Sequence, residues 1–524
     1  METCRQTVRD IEVKGKFVLM RSGLDVPLDP KLDLLDQKRV KDDTRIRDIL
    51  PTLEYLIVNK AKIILAAGWC GRPKGIDPNY SMAPVAKRLE LLLKERNALI
   101  HPVLIAPDCF KDKKPKSVYK NKNEVRKIVS SIKEGQVVVL ENVRYDPEAN
   151  ADDMEFAEFF ASMAEIYVNE NETQNHRKEA TIATTPLLIA KKKGKVVYGL
   201  KYCEVIKSIG NLKKNLIGGR KGHFVFGLCG KKIESDPGIV SKINVASELI
   251  DSMKKGDSII TGGAVSYTFM LARHYEKTMR KNLEKVKSIV SEYNKRILSE
   301  ASSLKDKEKA AILTDNLQKE KSDKLKSVIG IKDDEIKSII GNSYIRWGQE
   351  GEQIAFAYDV ISKAESKGIT VLLPIDHVIT DSVPDKEGML PENAKIKVIE
   401  EGIPKGWLGV SEGQKTLAVY AKAIESSFMY LQSGPYSIED NRVEEASGAD
   451  NATFAAALRC KKNGGTTIGA GGDTVARINS RKAGNSFTII TSAGGATLEI
   501  IMDQTSVGMK AVEKAWEISK KALS

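Results

Sequence analysis

Short apolar runs recur along the chain, and each one breaks into glycine or a basic residue. The clearest is Val137-Val138-Val139-Leu140, followed by Glu141-Asn142-Val143-Arg144-Tyr145. Four consecutive apolar residues, three of them β-branched, read as a strand buried on both faces of a parallel sheet. Phe17-Val18-Leu19-Met20-Arg21 leads in the same way into Asp25-Val26-Pro27, and Lys62-Ile63-Ile64-Leu65-Ala66-Ala67-Gly68 into Gly71-Arg72-Pro73. In the second half, Phe224-Val225-Phe226-Gly227-Leu228 runs into Gly230-Lys231-Lys232, and Ser258-Ile259-Ile260-Thr261 into Gly262-Gly263. Ligands of open α/β sheets sit at the carboxyl ends of strands. Arginine marks those ends in the first half and glycine with lysine in the second, which implies two sheets with two different phosphorylated ligands.

Between the strands the pattern shifts to helical spacing. Residues 45–59, opened by Asp42-Asp43-Thr44 and interrupted at Pro51, and residues 82–96, opened by Ser81, read as helices. The alternation predicts an α/β fold of two domains with doubly wound parallel sheets. Residues 1–198 form the first domain, a hinge helix and basic connector occupy 199–222, and 223–504 form the second. Residues 505–524 are expected to pack back on the first domain. One stretch departs from the alternation: 264–329 contains neither glycine nor proline. There Met279, Leu283, Val286, Val290, Tyr293 and Ile297 step by four and three, a heptad seam that predicts an inserted helical arm at about 274–340. The seam is expected to pack on its own return helix through Ile312, Leu313, Leu317 and Leu325 rather than on an external partner.

With 524 residues, 41% of them hydrophobic, two packed cores are affordable. The formal charge of +13 is compatible with nucleic acid, an acidic surface or small anions. No zinc-finger spacing or compact basic arm is present and the lysines are spread along helices, so nucleic acid is not expected. Six cysteines (Cys4, Cys70, Cys109, Cys203, Cys229, Cys460) form no C-x-x-C pair, which predicts neither a disulfide framework nor a zinc site and favours a reducing compartment. No run has the length of a membrane span, and the first residues carry no apolar signal core, so a cytoplasmic address without membrane contact is the expectation.

The order of the motifs resembles the phosphoglycerate kinase family over nearly the whole chain apart from the arm. The matching pieces are Gly71-Arg72-Pro73-Lys74-Gly75, Ser81-Met82-Ala83-Pro84, Leu140-Glu141-Asn142-Val143-Arg144-Tyr145, Tyr167-Val168-Asn169 and His176-Arg177. Gly262-Gly263, Leu373-Pro374-Ile375-Asp376, Ile403-Pro404-Lys405-Gly406-Trp407-Leu408-Gly409, Gly471-Gly472-Asp473-Thr474 and Gly494-Gly495-Ala496-Thr497 continue the match. The resemblance implies two Rossmann-like domains, a phosphorylated triose on the first and ADP or ATP with Mg2+ on the second, with hinge closure for phosphoryl transfer. It implies that Arg45 stabilises the transferring phosphoryl group and that Arg72, Arg144 and Arg177, with Asp25, meet the triose. Lys232 and Lys242 match the lysines at the nucleotide phosphates, with Lys232 also joining Arg45 in neutralising the moving group, and Asp473 matches the metal-linked acid. Gly471, Gly472, Thr474, Gly494 and Gly495 match the phosphate cradle. Asp440, or Glu439, stands where the family's ribose-holding acid does.

The departures gather on the triose side. Relative to the family pattern, Gly23 replaces an acid, Asp25 an asparagine, and Gly68-Trp69 a serine and histidine. Glu170-Asn171-Glu172-Thr173-Gln174-Asn175 rewrites a further loop and puts two acids beside an anion site. Ala470 and Ala493 replace glycines and Ser433 an asparagine on the nucleotide side. Two readings follow. One is reversible phosphoryl transfer between bisphosphoglycerate and ADP, as in glycolysis, with a degenerate acceptor site. The other is a catalytically inactive, structural or nucleotide-sensing subunit of a larger assembly, docked through its helical arm.

Overall fold

The computed structural model describes residues 4–68, 76–106, 122–145, 152–217, 222–231, 242–301, 307–345, 347–386, 388–446, 448–491 and 506–521. The chain divides into two units, Met1–Lys213 with Ala496–Ser524, and Lys214–Gly495.

The first unit is built on six parallel strands: β1 (Phe17–Ser22), β2 (Lys62–Ala67), β3 (Leu104–Ala106), β4 (Val137–Leu140), β5 (Ile166–Glu170) and β6 (Lys195–Tyr198), in the order β3-β4-β2-β1-β5-β6. Every residue of β4 and β5 is buried, which is why β4 reads as an unbroken run rather than as an alternation. Strand β1 has β2 on one side, with Val18 beside Ile63, and β5 on the other, with Val18 beside Ile166. The winding therefore reverses across β1, and a crevice opens at the carboxyl ends of β1 and β5. The last described helix, Val507–Lys521, belongs to this unit: Trp516 donates from its ring nitrogen to the Val196 carbonyl at 2.7 Å and stands edge-on to Tyr198.

The second unit repeats the plan with β7 (Phe224–Leu228), β8 (Ser258–Thr261), β9 (Thr370–Leu372), β13 (Met429–Ser433), β14 (Thr466–Ala470) and β15 (Ile489–Thr491), in the order β15-β14-β13-β7-β8-β9 and again parallel. A small antiparallel sheet of β10 (His377–Thr380), β11 (Ile396–Ile399) and β12 (Leu408–Glu412), in the order β11-β10-β12, intervenes between β9 and β13. The reading of the sequence did not foresee this sheet, because its strands are too short to carry a period.

The inserted arm is a hairpin of Glu276–Arg296 and Lys307–Ile329 that packs on itself and on the helix Glu350–Ser366. Met279, Val286, Tyr293 and Ile297 are buried as the seam predicts, and so are Leu317 and Leu325 on the return helix. Leu283 and Val290 are half-buried while Ile289 is buried, the drift expected when a straight helix of 3.6 residues per turn follows a 3.5-residue pattern. Ile312 faces out. The seam is thus used up inside the unit. At its centre Lys321, 2% exposed, pairs with the Glu352 carboxylate at 2.6 Å and donates to Asn294 Oδ1 at 3.0 Å.

One expectation is overturned: Cys4 and Cys203 form a disulfide, with Cα atoms 5.7 Å apart and 199 residues between them in sequence. Spacing rules detect only local cysteine pairs. Here the fold brings the first residues to the start of the helix Leu200–Ile217 by pairing Gln6 and Thr7 with Tyr198.

Removing one partner of a buried ion pair leaves an uncompensated charge, so Glu352→Ala is expected to cost about 3–5 kcal/mol. Lys321→Met combined with Glu352→Leu should recover most of that loss. Urea unfolding of the wild type, the single variant and the double variant measures both.

Candidate functional site

The carboxyl ends of β1, β2, β4 and β5 gather the first unit's polar residues. Glu141 and Asn142, directly after β4, fasten the next layer. Glu141 accepts from the Ser81 hydroxyl at 2.8 Å and the Met82 amide at 2.7 Å, where the helix Ala83–Glu95 begins. Asn142 donates to the Tyr80 carbonyl and accepts from the Arg144 amide at 3.1 Å. Part of this motif is therefore structural, and it sets Arg144 in the turn Val143–Tyr145.

Two carboxylates take hold of the arginines. Arg21 is fully buried; its guanidinium donates to Thr181 Oγ1 at 3.0 Å, to Gln174 Oε1 at 2.8 Å and to Glu179 Oε2 at 3.1 Å. The other oxygen of Glu179 lies 3.7 Å from Arg144 Nε, so a single acid, itself buried, is shared by two guanidinia. Arg45, on the first turn of the helix Thr44–Val58, donates to the Asp25 backbone carbonyl and lies 3.5 Å from its carboxylate. Arg177 is half-buried in the turn between Gln174 and Glu179. Burial, with the nearby Arg177 charge, pushes the preceding His176 down to about 4, so its ring is neutral at pH 7.

The rewritten loop is packed and bonded. Gln174 spans the crevice, donating to the Gly68 carbonyl at 3.0 Å while accepting from Arg21. A β-carbon at Gly23 would lie 2.1 Å from Thr173 Oγ1, and one at Gly68 would lie 2.7 Å from Val143 and 2.9 Å from Asn142 Oδ1. Glycine at both positions follows from the neighbours' shape.

Glu170 corrects the expectation of two acids facing an anion. It is buried and turned to the start of the helix Leu200–Ile217, accepting from Thr52 Oγ1 at 2.6 Å and from the Tyr202 amide at 2.7 Å. Burial pushes its carboxyl up to about 8, so it is mostly uncharged at neutral pH.

In the second unit, Gly471, at φ 100°, and Gly472 open the helix Gly472–Ser480 after β14. Thr474 is buried and ties two strand ends, accepting from the Gly434 amide at 2.7 Å and donating to the Ala470 carbonyl at 2.8 Å. Asp473, in the first turn, is exposed. A φ open only to glycine and free amides at a helix start suit a nucleotide phosphate. One exposed carboxylate suits Mg2+ carried by that nucleotide, since this ion keeps water and phosphate ligands. Among the described residues no group of three or more His, Cys, Asp or Glu side chains is placed to hold a metal by itself. Asp440 is committed elsewhere: it accepts from the Arg442 side chain at 2.6 and 3.0 Å, from the Arg442 amide and from the Leu390 amide, and these bonds hold its carboxyl well below the usual range. Its neighbour Glu439 is more exposed, pairing with Arg477 at 2.6 Å.

Arg72, Lys232, Gly494, Gly495 and Trp69 lie outside the described residues, and Lys242 is placed only as the first residue of the helix Lys242–Ser252. Sequence reasoning missed Glu179, an isolated acid two residues past His176-Arg177, and Glu412. Burial pushes the Glu412 carboxyl up to about 8 while one oxygen accepts from the Gly263 amide at 2.9 Å.

Two doubly wound parallel units, one with a basic strand edge and one with a glycine-opened helix, define a two-unit α/β protein. Comparison with known proteins narrows the class. The phosphoglycerate kinase family model matches residues 8–342 and 334–504. The chain is 30% identical over 510 residues to a phosphoglycerate kinase of Clostridium kluyveri, covering 97% of this chain and 98% of that one. It is 29% identical over 498 residues to that of Aquifex aeolicus, covering 95% of each. The phosphoglycerate kinase structures of Coxiella burnetii and Pyrococcus horikoshii share the fold with TM-scores of 0.60 and 0.64 at 21% and 16% identity, over 97% and 98% of this chain and 99% of each of theirs. The chain belongs to the phosphoglycerate kinase family. No helix among its described residues is long and apolar enough to cross a membrane.

The folded chain holds a proton on Glu170 that the unfolded chain releases above pH 4.5 or so, which makes stability fall as pH rises toward about 8 and level off beyond it. Glu170→Gln should flatten this decline and raise the melting temperature relative to wild type most at about pH 8 and above. Thermal melts of variant and wild type across roughly pH 5–9 test it as a difference, since Glu412 adds to the decline while His176 and His377, neutral when folded, oppose it below about pH 6.5.

Proposed function

We propose that this protein carries out the family's reversible phosphoryl transfer between bisphosphoglycerate and ADP, with triose affinity reduced by its own carboxylates. The observation that carries the reading is the capture of Arg45 by Asp25 and of Arg144 by Glu179. An arginine already paired attracts a phosphate less, because the incoming anion must displace or share the resident one. In this reading Arg45 neutralises the moving phosphoryl group, Arg72, Arg144 and Arg177 grip the triose, and Lys232 and Lys242 meet the nucleotide phosphates. Gly471, Gly472, Gly494 and Gly495 let the backbone approach those phosphates. Asp473 would hold the Mg2+, whose role when bound is to neutralise phosphate charge. The competing assignment, an inactive subunit docked through its arm, is supported by the rewritten acceptor loops and not by the arm's apolar seam, which is buried within its own unit.

Asp25→Asn removes the charge beside Arg45 and keeps its shape. A half-exposed pair of this kind is worth about 1 kcal/mol, so the substitution should tighten 3-phosphoglycerate roughly 3–10-fold and lower its KM, with ADP affinity unchanged. Calorimetric titration of each ligand and a coupled assay read this out. Nucleotide binding without turnover in either protein would replace the catalytic reading with a nucleotide-sensing one.

A further inference from the structure

We infer that Cys4 and Cys203 form a reversible thiol–disulfide site through which a dithiol or disulfide reagent alters the loop at the carboxyl edge of the first sheet. The two cysteines are bonded in the structure, and their Cα separation of 5.7 Å lies in the middle of the range that a disulfide spans. Their exposures differ: Cys203 is 3% exposed on the helix Leu200–Ile217, whereas Cys4 is half-buried. A thiolate from solvent therefore reaches Cys4 Sγ first. Its attack forms a mixed disulfide at Cys4, and the bonding pair of the old S–S bond leaves on Cys203 Sγ, which takes a proton from water. The second thiol of the reagent then displaces Cys4, so that one dithiol is oxidised to a disulfide and the protein gains two thiols. Oxidation by a small disulfide runs the same exchange backwards.

Breaking the bond does not undo the core beside it. Val8 stays buried, Gln6 accepts from the Tyr198 amide at 3.1 Å, and Thr7 and Asp10 cap each other's turn. What changes is the restraint on the helix start. Tyr202, next to Cys203, donates its amide to Glu170 and accepts from Asn175 Nδ2 at 2.7 Å through its hydroxyl. Asn175 accepts in turn from Asn169 at 3.0 Å, and its own loop carries Gln174, the link between Arg21 and Gly68. A path that alternates hydrogen bonds with steps between adjacent residues thus joins the cysteine pair to the arginine network within one unit. Cys229 and Cys460, buried and outside any disulfide, belong to the other unit.

The test uses the full-length protein, treated under native conditions with glutathione disulfide or with dithiothreitol. Differential alkylation and peptide mapping should find a Cys4–Cys203 cross-linked peptide after the first treatment, both Cys4 and Cys203 alkylated after the second, and the cross-link again on reoxidation. Hydrogen exchange in peptides covering residues 171–177 should quicken about 3–10-fold on reduction of the wild type, while Cys4→Ser should exchange at the faster rate in both reagents. Cys203→Ser, at the buried position, serves as a second variant with the same expected behaviour. A cross-link that resists dithiothreitol until the protein unfolds, one that never forms under oxidant, or exchange that ignores the redox state would each overturn the inference.

Discussion

A buried guanidinium has to be answered, and the answer given to Arg21 organises the edge of the first sheet. Lying fully inside at the end of β1, it keeps its charge only because Glu179, Gln174, Thr181 and the Ser22 carbonyl surround it. Glu179 is held in place by that demand, and its second oxygen then falls near Arg144. The acid that stabilises the fold thus also draws down the positive potential at the strand ends. Asp25 does the same for Arg45 without being needed by the core, since both side chains remain partly exposed at 22% and 25%. The first case is a structural necessity with an electrostatic consequence, and the second is a local pairing that a single amide would relieve.

The second unit handles its acids differently. Asp376 is consumed by the start of the helix Gln414–Glu425, accepting from the Lys415 and Thr416 amides, and Asp450 accepts from the Tyr436 and Ser437 amides. Glu412 is buried and carries its proton to about pH 8. None of these leaves a bare negative charge, while Asp473 stands in solvent at the helix start suited to phosphate. The contrast with the first unit is one of charge placement: on one edge Asp25 and Glu179 meet arginines, on the other the acids are capped or neutral.

Much of the fold was legible because parallel strands buried on both faces leave continuous apolar runs, and β1, β2, β4, β7 and β8 were all read from such runs. The arm was legible from its seam, and the helices that open at Thr44 and Ala83 from their polar starts. The three-stranded sheet was not, since four- and five-residue strands such as β11 and β12 are too brief for a period to emerge. Site residues on motifs could be named, but their occupancy by neighbours could not. Glu179 is a single acid without a spacing rule, Glu170 is charged on paper and neutral when buried, and the Cys4–Cys203 bond joins positions 199 apart. Each depends on long-range packing that composition and periodicity do not encode.

The departures on the triose side form a mutually adjusted set rather than a scatter of losses. Thr173 occupies the space that a side chain at residue 23 would need, Asn142 and Val143 occupy that of residue 68, and Gln174 bonds to the Gly68 carbonyl where the chain of β2 ends. An acid restored at residue 23 alone would place its β-carbon 2.1 Å from the Thr173 hydroxyl oxygen, so Thr173 must turn and Asn171 Oδ1, at 3.0 Å, must give way with it. Such positions are energetically coupled, so single reversions carry strain that hides whatever binding they bring back. Residue 25 differs because its charge, not its volume, is what departs from the pattern. The departures are therefore steric at one end of β1 and electrostatic two residues further on, and the second is relieved by a change of charge alone.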